Sequence, residues 1–172
     1  DTLRLMGNYY GCALHLADYY GQHRQGKKLG EFCRWTEAQL PFTWEHYYRF
    51  GQLLRQADQT AMGAEYTAKA GTLVLDEYAQ DPDTTYNNAL ALAGMLVHDY
   101  TEFDQAAQLY RQVINKNPGR WDAYYELAAT LQAKGDTQGA LDLLMQYRTK
   151  YGQVEQLIQA EKSLQKHLGR LR

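Results

Sequence analysis

The stretch that decides the fold reads NNALALAGMLVHDYTEFDQAAQLYRQVINKNPGR over 87–120 and WDAYYELAATLQAKGDTQGALDLLMQYRTKYGQV over 121–154. The two segments have the same length and align without a gap. Large, small and aromatic residues fall at matched positions, among them Leu90 with Tyr124, Ala93 with Leu127, Gly94 with Ala128, and Ala106 with Ala140. A 34-residue period with residues of fixed size at fixed offsets is typical of a helix–turn–helix repeat. We refer to positions within this period as the repeat frame.

The repeat frame extends towards the N-terminus. It predicts units at 10–43, 44–86, 87–120 and 121–154, with 1–9 extending the first helix and a turn at 26–28. The second unit is about nine residues too long for the period, which we attribute to a lengthened second helix at 61–80 plus a loop at 81–85. A final amphipathic helix at 153–171 is expected to close the stack with a polar outer side, formed by Glu155, Gln159, Glu161, Lys162, Lys166 and Arg170.

These patterns predict one all-α domain over 1–172, a right-handed α–α superhelix of about four helix pairs plus a C-terminal capping helix. Only three prolines occur, which suits helices. Gly51 and Gly94 occupy the same position of the frame, and small residues there predict close approach of two helices.

Composition excludes several classes of protein. The formal net charge is −2, so the chain has no electrostatic attraction for nucleic acid or an anionic membrane. No apolar run approaches the roughly 18–20 residues that span a bilayer. The chain begins at Asp1 without an initiator Met, which we interpret as a mature product or a piece excised from a longer protein. Cys12 and Cys33 are interpreted as two buried thiols, with a bridge between helices as the alternative.

The matched residues resemble the tetratricopeptide repeat family. That family has a large residue, leucine, glycine and tyrosine in the first helix, then alanine, an aromatic residue, alanine and proline in and after the second. The last two units carry this pattern best, at Leu90, Ala93, Gly94, Val97, Ala106, Tyr110, Val113 and Pro118, and at Tyr124, Leu127, Ala128, Leu131, Ala140, Leu144 and Tyr147. The resemblance implies a protein-interaction scaffold whose first helices line a concave groove, without catalysis of its own.

The family's groove-facing offsets fall at positions two, five, nine and twelve of each unit. The resemblance therefore implies a groove for a protein or peptide ligand that is lined by Gly11, Leu14, Asp18, Gly21, Glu45, Tyr48, Gln52, Arg55, Asn88, Ala91, Met95, His98, Asp122, Tyr125, Ala129 and Gln132. Tyrosine doublets at 47–48 and 124–125 suit this geometry because adjacent helical residues point about 100° apart. We expect Tyr48 and Tyr125 to be the accessible members.

No catalytic, cofactor or metal signature is present. The five histidines form no His-x-x-x-His pair, and no phosphate-binding loop or nucleophile elbow occurs. His98 lies beside Asp99, so an enzyme site around His98 and Glu45 is a third hypothesis, weaker than a plain polar groove.

A second, looser resemblance is to the soluble tails of bacterial multi-pass membrane proteins similar to protein O-mannosyltransferases. It rests on the helical N-terminal segment, the break at Pro41 and the paired repeats. It implies an alternative function, that of an accessory or regulatory domain tethered to a membrane through missing N-terminal sequence. The location is accordingly cytoplasmic, or that of the soluble tail of a bacterial membrane protein.

Overall fold

A computed structural model describes the backbone of residues 2–100 and 102–170. These residues form nine α-helices and no strand, so the predicted all-α helical-repeat fold is confirmed. The helices are α1 (Thr2–Gln22), α2 (Gly26–Gln39), α3 (Trp44–Gln56), α4 (Thr60–Gln80), α5 (Pro82–Tyr100), α6 (Phe103–Lys116), α7 (Trp121–Lys134), α8 (Thr137–Tyr151) and α9 (Glu155–Arg170). The chain forms two compact bodies, residues 1–73 and 74–172. Unit 1 and unit 2 denote these two bodies, each of which is larger than a single repeat.

Helix boundaries follow the repeat frame closely. Second helices begin at Gly26 and Thr60, and again at Phe103 and Thr137, and the members of each pair lie one full period apart. The spacing from Thr60 to Phe103 is longer than the period by the excess predicted for the second unit. The predicted turn at 26–28 is wrong, since α2 already begins at Gly26.

The extra residues of the second repeat lie almost entirely in helix. α4 has 21 residues where α6 has 14, which confirms the predicted lengthening. The predicted loop at 81–85 is wrong, because α5 begins at Pro82. Proline is favoured at the first helical position, where its missing N–H is not needed. The Asp81 carboxylate accepts the Thr84 N–H at 3.2 Å and its carbonyl accepts the Thr85 hydroxyl at 2.6 Å, so one residue caps the helix.

The core of unit 1 is built around α1, α2 and α3, with fully buried Ala17, Leu29, Cys33, Phe50 and Leu54. Both cysteines are free. Burial raises the pKa of the Cys33 thiol to about 12, and the nearby Glu37 carboxylate adds to the effect. The prediction of two buried thiols is confirmed for Cys33 and wrong for Cys12, which is exposed.

A carboxylate ties the helices of unit 1 together. Glu37 accepts hydrogen bonds from the Tyr47 hydroxyl at 2.9 Å, the Tyr66 hydroxyl at 2.8 Å and the Lys69 ammonium at 2.8 Å. Burial alone would raise the pKa of Glu37, but these three donors outweigh burial and hold it below its usual value. The network therefore joins α2, α3 and α4 through one ionised group.

The expected close helix approach is confirmed at Gly51 and absent at Gly94. A Cβ atom added to Gly51 would lie 2.9 Å from Thr67 Cγ2 and 3.0 Å from the Gly63 carbonyl oxygen. A Cβ atom added to Gly94 would meet only the Tyr110 hydroxyl, at 3.8 Å, which is an ordinary contact. Gly51 is therefore required by packing against α4, whereas Gly94 is not.

In unit 2 the hairpins α5–α6 and α7–α8 stack in sequence, with α6 against α7 and α8 against α9. A tight turn joins α7 to α8, where Gly135 has φ +99°, a left-handed conformation that favours glycine at a helix end. The capping helix buries Leu157 and Leu164. Its outer side differs from prediction at Glu161, which is 3% exposed and pairs with Arg148 at 2.7 Å.

Candidate functional site

The first helices of unit 2 are neighbours on one side of the stack, because α5 contacts α7 and α7 contacts α9. A cleft of about 280 Å³ lies between α7 and α9. Its wall on α7 includes Tyr125, Ala129 and Gln132, three of the residues that the sequence assigned to a groove. Its wall on α9 is formed largely by Gln156, Gln159, Ala160, Ser163 and Leu164.

A second cleft, of about 420 Å³, continues the first towards the N-terminal ends of the two helices. It is lined by Trp121, Asp122, Tyr125, Glu126, Gln156 and Gln159. Tyr125, Gln156 and Gln159 belong to both clefts. The two clefts are thus one continuous surface, amide-rich along its length and acidic at one end. We call it the α7–α9 groove.

Tyr125 is the exposed aromatic residue of the α7–α9 groove. It is 41% exposed, whereas Tyr124 beside it is 7% exposed and packs edge-on against Tyr147, with ring centroids 4.8 Å apart. The doublet therefore divides as expected, with one ring in the core and the other at the surface. The expected accessibility of Tyr125 is confirmed.

Three glutamines give the groove its hydrogen-bonding capacity. The Gln159 amide donates to Glu155 at 2.6 Å. The side chains of Gln132 and Gln156 line the cleft beside it. Each amide offers one acceptor and two donor hydrogens, so both can pair with the backbone of a ligand.

Two carboxylates with opposite pKa shifts, those of Asp122 and Glu126, form the acidic end of the groove. Asp122 accepts the Tyr86 hydroxyl at 2.7 Å and the Arg120 guanidinium at 2.9 Å. Burial would raise the pKa of Asp122, but these donors hold it below its usual value. For Glu126, burial and the nearby Asp122 charge raise the pKa instead. Hydrogen bonds within the protein thus stabilise the ionised form of Asp122, whereas burial and the Asp122 charge disfavour the ionised form of Glu126.

The predicted positions on α5 differ in accessibility. Asn88 and Met95 are half-buried and His98 is exposed. The His98 Nδ1 atom lies 2.8 Å from the Asp99 carboxylate. This adjacent surface pair needs no catalytic role to explain it.

Three of the predicted groove residues on α3, in unit 1, form hydrogen bonds with other side chains of unit 1. Glu45 accepts the Thr43 hydroxyl at 2.6 Å in the first turn of the helix. Gln52 accepts from Arg49 at 3.0 Å, and Arg55 donates to Thr67 at 3.3 Å. As groove residues, Glu45, Gln52 and Arg55 stay predictions.

The expectation that Tyr48 is accessible is wrong, because its exposed fraction is 6%. Tyr48 shares a helical face with Trp44, Gly51 and Arg55, since these positions are three or four residues apart. Gly51 and Arg55 on that face contact α4 at Gly63 and Thr67. The helix that follows α3 therefore covers part of the face that carries Tyr48.

Sequence reasoning missed the α9 wall because that helix was treated only as a cap. The repeat frame itself contains the signal. One period beyond Asp122, Tyr125 and Ala129 come Gln156, Gln159 and Ser163, and all three line the groove. α9 begins at Glu155, one full period after the start of α7 at Trp121, so it is the first helix of a further unit.

Over 2–100 and 102–170, no group of three or more His, Cys, Asp or Glu side chains is placed to hold a metal ion. None of the helices in those ranges combines the length and the apolar character needed to cross a membrane.

Comparisons with known proteins identify the repeat class. The family model described as tetratricopeptide repeat matches residues 99–161, from the end of α5 to the middle of α9. The predicted resemblance is confirmed over this segment, which contains most of the α7–α9 groove. Repeats of this family act in general as scaffolds for protein interaction, and the match supports that general role here.

Two solved structures of MamA are similar at low identity. The one designated AMB-1 is 16% identical, with 99% of this chain and 85% of that chain covered and a TM-score of 0.45. A MamA mutant is 14% identical, with 95% and 90% covered and a TM-score of 0.39. A search of curated proteins gives no significant match.

Proposed function

We propose that the α7–α9 groove, together with the neighbouring face of α5, binds a peptide segment of a partner protein. The observation that carries the proposal is the position of Tyr125. An exposed tyrosine lies where two clefts meet, between walls that supply side-chain amides. Large, rigid aromatic side chains surrounded by polar groups are typical anchors of protein interfaces.

The lining also indicates which peptide would fit. Gln132, Gln156 and Gln159 can donate to backbone carbonyls and accept from backbone N–H groups, so they suit a ligand whose main chain is accessible. Asp122 and Glu126 favour a basic side chain at the N-terminal end of α7. Burial and the nearby Asp122 charge raise the pKa of Glu126, and a ligand cation there would stabilise the ionised carboxylate. We therefore propose an extended peptide with an apolar or aromatic residue near Tyr125 and a Lys or Arg beyond it.

The experiment begins with selection of ligands from a random peptide library on the purified chain. Calorimetry then compares the wild type with Tyr125→Ala, Gln159→Ala and Met145→Ala. Met145 is a matched control, because it is 39% exposed on α8, outside the groove. Tyr125→Ala should weaken binding by about 1–2 kcal/mol, or roughly 5- to 30-fold, and Met145→Ala should leave it unchanged.

The selected sequences give a second readout. Enrichment of Lys or Arg at one end is expected, and the affinity of such peptides should fall when Glu126 is replaced by Gln. Equal affinity of wild type and Tyr125→Ala for every selected peptide would refute the proposal, as would a comparable loss in Met145→Ala.

A further inference from the structure

A guanidinium group is bound at the acidic end of the α7–α9 groove, and it belongs to the chain itself. Arg120, the residue before α7, donates from Nε and Nη2 to the two carboxylate oxygens of Asp122, at 3.3 and 2.9 Å. Its Cζ atom lies 3.8 Å from the centroid of the Tyr86 ring. Paired N–H donation to a carboxylate and stacking on an aromatic ring are typical interactions of a bound guanidinium. We call the Tyr86 ring and the Asp122 carboxylate the Tyr86–Asp122 cradle.

The shape of the Tyr86–Asp122 cradle does not depend on Arg120. The Tyr86 hydroxyl donates to Asp122 Oδ1 at 2.7 Å, and the Ala123 N–H donates to the same oxygen at 3.2 Å. Tyr86 is buried, so the surrounding helices hold its ring. Because these contacts fix both the carboxylate and the ring, the cradle would keep its geometry if the Arg120 side chain moved away.

Arg120 can be exchanged for another cation at little cost. The side chains of Arg120 and Asp122 are 51% and 30% exposed. Ion pairs at such exposure contribute little to stability, because water competes for both charges. Arg120 lies in the connection between α6 and α7, so its side chain can turn into solvent without disrupting a helix.

Packing of the repeats does not by itself require this arrangement. Tyr86 and Arg120 lie one period apart, and Val154 follows after one more period. One period beyond Asp122 the chain has Gln156. The junction before α9 therefore carries neither the cation nor the carboxylate at these positions, although α9 packs against α7 and α8. The cradle is thus particular to the acidic end of the α7–α9 groove.

We propose, on the basis of the peptide-binding function proposed above, that the Tyr86–Asp122 cradle binds an arginine of the ligand and that Arg120 competes with it. Asp122 and Tyr125 line the same cleft, so one peptide can contact both. As a tethered group, Arg120 occupies the cradle at a high effective concentration, so a ligand arginine displaces it only when the rest of the peptide is anchored in the groove. A ligand lysine fits less well, because an ammonium lacks the planar pair of donors.

The cradle is tested with N-acetyl-L-arginine amide, titrated into the isotopically labelled chain and followed by NMR. Arg120→Ala should bind this probe about tenfold or more tightly than the wild type, with shifts at the amides of Tyr86 and Ala123. It should prefer the probe to N-acetyl-L-lysine amide by about two- to fivefold. Lys134→Ala is the control and should behave like the wild type, because Lys134 carries the same charge on α7 and pairs with Asp104 outside the groove. Circular dichroism establishes that each variant is folded. An Arg120→Ala variant that binds the probe no better than the wild type, or that prefers the lysine amide, overturns the proposal.

Peptides selected from the library separate the cradle from the groove as a whole. An arginine-containing peptide should bind Arg120→Ala several-fold more tightly than the wild type, since the internal competitor is gone. That gain should vanish when citrulline, a neutral analogue of similar shape, replaces the peptide arginine. Peptides whose affinity depends on Tyr125 but does not change in Arg120→Ala would refute the cradle and leave the groove in place. Binding of the arginine probe without any selected peptide would refute the peptide-binding groove and leave the guanidinium site in place.

Discussion

Alanine at Gly51 and at Gly94 should change stability in opposite directions, although the two glycines occupy one position of the repeat. At Gly51 the new methyl group would lie 2.9 Å from Thr67 Cγ2 and 3.0 Å from the Gly63 carbonyl oxygen. One of these neighbours is backbone, so relief requires α3 and α4 to separate. At Gly94 the nearest atom is 3.8 Å away, and the methyl group fits without any shift.

The magnitudes combine two effects. Replacing a glycine by alanine in a helix stabilises the folded state by roughly 0.5–1 kcal/mol, because the unfolded chain loses conformational freedom. Overpacking a close contact costs about 1–3 kcal/mol. Gly94→Ala should therefore raise the free energy of unfolding by about 0.5–1 kcal/mol, and Gly51→Ala should lower it by about 0.5–2 kcal/mol.

Urea unfolding followed by hydrogen exchange of peptides from each unit is the suitable assay. Gly51 lies in unit 1 and Gly94 in unit 2, so each variant is compared with the wild type in its own unit. A Gly51→Ala variant as stable as the wild type would refute the close approach of α3 to α4. A Gly94→Ala variant that loses stability would show that this position is more crowded than 3.8 Å implies.

Three further predictions concern named side chains. Glu37→Gln should destabilise unit 1 by about 1–3 kcal/mol in urea unfolding, because three donors lose an ionised acceptor; an unchanged midpoint would contradict this. Burial lowers the pKa of His46, so the unfolded chain takes up its proton first and the free energy of unfolding should fall as pH drops below about 6.5. His46→Gln should flatten that pH dependence, and an unaltered profile would assign it to other groups. Tyr48→Ala should lower the melting temperature much more than Tyr125→Ala, since only the ring of Tyr48 is buried. Equal melting temperatures of the two variants would contradict the burial of Tyr48.

Most of the fold could be predicted because helix boundaries recur at a fixed spacing in a repeat protein. Once 87–120 and 121–154 are aligned, the start of each second helix follows, and the excess length before Phe103 follows as well. The loop expected at 81–85 is wrong because the whole stretch was assigned to the connection between two helices. With Asp81 as its cap, proline instead begins the next helix.

The candidate site was predicted less completely, and the reason is packing. Periodicity assigns a residue to a face of its helix, but which neighbour covers that face depends on the surrounding helices. Tyr48 and Tyr125 share a position in the frame, yet Tyr48 is buried on a face that α4 partly covers, whereas an open cleft adjoins Tyr125. The α9 wall could have been found by extending the frame one unit beyond 154.

Chemical-shift mapping by NMR tests the peptide-binding account most directly. Amide spectra of the isotopically labelled chain would be recorded during titration with a peptide selected from the library. If the peptide binds in the α7–α9 groove, the perturbed amides cluster on α7 and α9, around Tyr125, Gln132, Gln156 and Gln159, with weaker changes on α5. Shifts confined to α6 and α8, or to α1 and α2, would contradict binding in the groove, because the ligand would then bind away from the first helices of unit 2.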